Sequence, residues 1–61
     1  MTWRRGIKGH QRAHLYGYSE KPACGGRLLA QDTVRLPPDE LTQHGQPNTG
    51  DVCALCLDKS A

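Results

Sequence analysis

The sequence predicts a small α+β fold, a short antiparallel β-hairpin or three-stranded sheet plus a C-terminal helical turn. Three observations carry that prediction. The chain has 61 residues and no Phe, and a chain this short buries only about 60% of its unfolded surface, so it is marginal without a staple. It contains 3 cysteines, an odd number that disulfides cannot use up but a metal can. Two of them stand as Cys53-Ala54-Leu55-Cys56, a spacing at which a tight turn aims both sulfurs at one ion. Structural zinc supplies on the order of 10–16 kcal/mol to small peptides at neutral pH. The expected fold is therefore zinc-stabilised.

Residues 1–11 read as a basic N-terminal arm or a loosely attached first strand. Trp3, Arg4, Arg5, Lys8 and two glycines show neither helical nor alternating periodicity there. Residues 12–61 then form a single zinc-binding module. Arg12 to Tyr18 alternate, with Ala13, Leu15 and Gly17 on one face and Arg12, His14, Tyr16 and Tyr18 on the other, which predicts a strand. Ser19-Glu20-Lys21-Pro22 reverses the chain. Cys24 follows, and Gly25 and Gly26 free the backbone to turn amides toward a metal-bound sulfur. Arg27–Ala30 and Thr33–Leu36 read as two further short strands, ended by Pro37-Pro38, neither of which can donate to a ladder. Pro38, Asp39 and Glu40 suit the start of one helical turn. Residues 43–50 are an exposed polar loop. Asp51 caps a helix reaching about Lys59, with Val52, Leu55 and Leu57 turned to the sheet.

The expected ligand set is His14, Cys24, Cys53 and Cys56, three sulfurs and one imidazole in a tetrahedron. A rival set replaces Cys24 with His10, which stands four residues before His14 and would share its face on a helix. His44 lies in the polar loop and reads as exposed. A redox Cys-x-x-Cys would need a βαβ context that so short a chain does not provide. A zinc deaminase needs His-x-Glu and Pro-Cys-x-x-Cys. Here Leu15-Tyr16 follows His14 and Val52 precedes Cys53, so both halves fail. Four protein ligands also leave no open position for water. The expectation is a non-enzymatic protein without a small-molecule substrate.

His14, Cys24-Gly25 and Val52-Cys53-Ala54-Leu55-Cys56-Leu57 together resemble short proteins common in actinobacteria and their phages. Those carry a His, a Cys-Gly about ten residues later and a late Cys-x-x-Cys-Leu, and look like small zinc-binding modules. The likeness spans roughly residues 12–58 and implies the metal site rather than an activity.

The formal charge is +2 and uneven. Residues 1–21 hold five basic side chains and one acid, residues 22–61 three basic and five acidic, so the halves carry +4 and −2. No stretch is apolar for long enough to span a membrane. The basic start lacks the apolar run of an export signal, and the odd thiol count suits a reducing compartment, so the expected location is cytoplasmic. Two partner classes fit. The first is a larger protein assembly, on which the zinc core docks as a rigid adaptor through Trp3, the tyrosines or the 37–50 loop. The alternative is nucleic acid, bound by the basic, aromatic segment Trp3, Arg4, Arg5, Lys8 and Arg12, where cations meet phosphate and rings stack on bases.

Overall fold

The computed structural model describes residues 1–8, 12–48 and 50–60. They form an α+β fold of one three-stranded antiparallel sheet and one short C-terminal helix. Strand β1 is Thr2–Gly6, β2 is His14–Tyr16 and β3 is Thr33–Arg35, in the order β2-β1-β3. Helix α1 is Ala54–Lys59.

The first strand is the centre of the sheet: of the two readings of residues 1–11, arm or loosely attached first strand, Thr2–Gly6 is the strand, and it is paired on both edges rather than loosely attached. Trp3 pairs with Leu15 on one side, and its carbonyl accepts the Leu36 amide at 3.2 Å on the other. Trp3 and Leu15 are buried, and with Ala13, Leu36, Cys53 and Cys56 they make up the core. The basic residues of β1 are accommodated because a long stem packs on apolar surface while its head finds an internal partner. Arg5 makes a bidentate pair with Glu40, both contacts at 2.7 Å. Arg4 donates to Thr33 Oγ1 at 2.6 Å and to Thr33 O at 3.1 Å. Glu40 lies at the end of a 3-10 turn, Pro38–Glu40, where a helical turn is expected from sequence.

Residues 27–30 are not a strand. β2 pairs with β1 on one edge and bridges Val52 and Pro22 on the other, so this segment is instead tied by side chain and turn. The Tyr16 hydroxyl donates to Leu28 O at 2.6 Å, and Ala30 N–H to Glu20 O at 2.7 Å. A 3-10 turn, Ala30–Asp32, then feeds β3.

Asp51 does not cap α1. The N-cap position is Cys53, whose carbonyl accepts the Leu57 amide at 3.0 Å. Leu55 and Leu57 are also exposed rather than turned to the sheet, at 60% and 42%. In six residues the inward face has room for little besides Cys56, which is 0% exposed. Among the described residues no helix is long and apolar enough to cross a membrane.

Candidate metal centre

β2 gathers the site. One of its sides pairs with β1, and the other takes the two segments that bring the cysteines. Ala13 N–H donates to Asp51 O at 3.0 Å, and Cys53 N–H to Ala13 O at 2.9 Å. This parallel bridge between Ala13 and Val52 sets the Cys53-x-x-Cys56 turn beside His14. Further along, Ala23 N–H donates to Leu15 O at 2.8 Å, and Tyr16 bridges Pro22 antiparallel. That pairing delivers Cys24 to the same place. The chain turns away through Gly25 at φ +80°, where its amide donates to Pro22 O at 2.9 Å. The Gly25 amide thus closes a turn and is not aimed at a sulfur, contrary to the sequence-based expectation.

The ligand atoms of His14, Cys24, Cys53 and Cys56 all lie within 4.8 Å of one another, close enough to share one metal ion. His14 Nδ1 is 3.6 Å from Cys24 Sγ and 3.6 Å from Cys56 Sγ. A tetrahedron with metal–sulfur bonds of about 2.3 Å and a metal–nitrogen bond of about 2.0–2.1 Å has N···S edges of about 3.6 Å. The two agree. Cys53 and Cys56 are buried, while His14 and Cys24 are half-buried, so the centre sits just beneath the surface at one end of the sheet.

The surroundings prepare these groups for a cation. Burial lowers the His14 pKa below its ordinary 6.5, and the Arg12 charge lowers it further, so the ring is neutral at neutral pH. Burial acts to raise the Cys53 thiol, but the Cys56 amide, the Cys24 and Cys56 thiols and the Leu55 amide outweigh it, so its pKa falls. Burial pushes the Cys56 thiol up, against the Leu15 and Cys24 amides directed at its sulfur. The Tyr16 ring lies beside them, its pKa raised by burial and by the nearby Cys56 and Cys24. Sequence reasoning misses the roles of the Leu15 amide and of Tyr16. Tyr16 stands two residues after His14 and therefore on its strand face, which is the signal that marks it.

The other residues singled out by sequence are scattered. Trp3 is 6% exposed and packs into the core, which leaves little of its ring for docking or stacking. Tyr16 is likewise buried, at 3%. Arg4 and Arg5 are engaged within the fold. Lys8 and Arg12 are exposed, and so is His44. The rival ligand His10 lies outside the described residues. No family model, curated protein or solved structure matches the chain.

Proposed function

We propose that this chain is a non-enzymatic structural zinc protein that serves, in the cytoplasm, as an adaptor for a larger protein assembly. The observation that carries the zinc reading is the set of four ligand atoms within 4.8 Å, with two N···S separations of 3.6 Å. Three thiolates and an imidazole suit zinc better than the harder cations, which prefer oxygen. All four corners belong to the protein, so no position is left for the water or substrate that catalytic zinc requires. The resemblance of His14, Cys24-Gly25 and Cys53-x-x-Cys56-Leu57 to small actinobacterial and phage zinc modules points the same way.

The adaptor reading is favoured over nucleic-acid binding by the fate of the basic segment. Trp3 is buried, and the Arg4 and Arg5 heads are engaged by Thr33 and Glu40. A phosphate-binding surface would be left with Lys8 and Arg12 from that segment, a small electrostatic footprint.

Metal content by native mass spectrometry, with each ligand replaced in turn, tests the site. One zinc per chain is expected, lost on His14→Ala, Cys24→Ser, Cys53→Ser or Cys56→Ser and retained on His10→Ala. Loss of zinc in the His10 variant with retention in Cys24→Ser would overturn the ligand set. For the adaptor, tagged protein is recovered from cells with and without nuclease; a complex that dissolves on nuclease treatment sinks that reading.

A further inference from the structure

The three thiols of the metal centre are all the cysteines this chain has, and none is paired as a disulfide. Their sulfurs lie within 4.8 Å of one another, so each has a thiol partner at hand for oxidation. Charge keeps them reactive. Three thiolates outweigh a divalent cation by one negative charge when the imidazole is neutral, and a sulfur that retains negative charge remains a nucleophile.

Access singles out one of them. Cys53 is 8% exposed and Cys56 0%, whereas Cys24 is half-buried. Cys24 stands in the turn closed by Gly25 N–H on Pro22 O, outside the helix and the strands. A Cβ added at Gly26 would lie 3.5 Å from the Cys24 sulfur and 3.4 Å from Pro22 Cγ, which are ordinary contact distances. The missing side chain at Gly26 therefore leaves room for a methyl-sized group against that sulfur, and an oxygen of a hydroperoxide is no larger. Cys53 and Cys56 are core residues as well as ligands, so whatever takes sulfurs from the metal also takes apart the core.

From these features we infer that the centre is a redox switch, in which a hydroperoxide oxidises Cys24 and a disulfide from Cys24 to Cys53 or Cys56 then releases the metal and unfolds the chain. The inference rests on the structural-zinc reading and adds a regulation to it: the adaptor holds its shape only under reducing conditions. In the first step the Cys24 thiolate attacks one peroxide oxygen. An S–O bond forms, the O–O bond breaks, and the departing hydroxide takes a proton from solvent to become water, leaving Cys24 as a sulfenic acid. In the second step the thiolate of Cys53 or Cys56 attacks the Cys24 sulfur. The S–S bond forms, the S–O bond breaks, and a second hydroxide leaves and is protonated. Two thiolates have then lost two electrons, and one peroxide has become two waters. His14 and one cysteine remain, too few to hold a structural ion.

The test uses the zinc-loaded full chain, hydrogen peroxide and a colorimetric zinc indicator. One zinc is expected to be released per peroxide consumed, with loss of the far-ultraviolet circular dichroism signal. Peptide mapping after alkylation is expected to find Cys24 joined to Cys53 or Cys56, and a dithiol reductant with added zinc to restore the fold. Gly26→Ala covers the Cys24 sulfur and is expected to release zinc to peroxide at least about threefold more slowly, with loss to the indicator alone unchanged. Gly50→Ala, where the added Cβ meets nothing within 4 Å, is expected to behave as wild type. Limiting iodoacetamide should label Cys24 before Cys53 and Cys56 in zinc-loaded wild type, a result that needs no variant to fold. Zinc held against excess peroxide, a Cys53–Cys56 disulfide, first labelling of Cys53 or Cys56, or equal release from Gly26→Ala and wild type overturns the switch and leaves the structural zinc standing. Protein isolated under reducing conditions without zinc sinks the zinc reading, and the switch with it.

Discussion

Removing the metal should unfold this protein, and the size of the effect follows from the structure. The core consists of Trp3, Ala13, Leu15 and Leu36 together with two of the ligand cysteines, so the site and the core are one object. A domain of 61 residues has a total stability of about 3–9 kcal/mol at typical values per residue. Structural zinc contributes on the order of 10–16 kcal/mol in small peptides, more than that total. Stripping the metal therefore leaves nothing to hold Cys53 and Cys56 beside His14, and with them goes the bridge between Ala13 and Val52. The assay is titration of purified protein with a high-affinity chelator, followed by far-ultraviolet circular dichroism and by Trp3 fluorescence. Trp3 is 6% exposed, so unfolding moves its emission to the red. Zinc released to a colorimetric indicator should track both signals with one midpoint, and re-addition of zinc should restore them. Because the ligands are thiolates and a neutral ring, protons compete with the metal, and acid should produce the same loss. A stripped protein that keeps its blue-shifted emission and a cooperative thermal transition would refute the reasoning.

Two further outcomes concern parts of the fold outside the ligand sphere. Its hydrogen bonds to Arg5, and then the Arg5 charge, hold the Glu40 pKa below its ordinary 4.5. A carboxylate with a depressed folded pKa adds stability above its unfolded pKa and loses it as pH falls through the folded value. Denaturation of the zinc-loaded protein should show Glu40→Gln less stable than wild type at neutral pH, with the gap narrowing as pH falls toward the ordinary carboxylate range, followed only down to the pH at which the metal is lost; a Glu40→Gln protein as stable as wild type at neutral pH contradicts the pairing. Gly25 has φ +80°, and a Cβ added there would meet nothing within 4 Å, whereas at Gly26 it would meet Pro22 and the Cys24 sulfur at 3.4 and 3.5 Å. Strain rather than space sets the cost, so Gly25→Ala should lose about 1–2 kcal/mol, and Gly26→Ala less, by chemical denaturation with zinc bound. Equal losses at the two glycines would contradict this.

Much of the site can be read from the chain because metal ligands are scarce residue types with fixed spacing. With three cysteines available and a strand, a turn and a Cys-x-x-Cys in order, His14, Cys24, Cys53 and Cys56 are the preferred set, ahead of one with His10 in place of Cys24, and the structure brings those four together. The turn after Tyr18 and the break at Pro37-Pro38 are likewise local matters of turn residues and proline, whereas the terminal helix is present but begins after Cys53 without the Asp51 cap. Helix orientation is less legible. The apolar periodicity of Val52, Leu55 and Leu57 points inward in sequence, yet Cys56 takes the interior and Leu55 and Leu57 face solvent.

What the linear sequence determined by itself is therefore the chemistry: which residue types could hold a metal, and where the backbone bends to bring them near one another. Tertiary structure alone decided that Thr2–Gly6 lies at the centre of the sheet. Nothing local marks that segment as interior, because its arginines become compatible with a central strand only when Glu40, 35 residues on, and Thr33, 29 residues on, supply their partners. A side chain's charge is visible in sequence; whether the fold returns a counterpart to it depends on contacts distant along the chain.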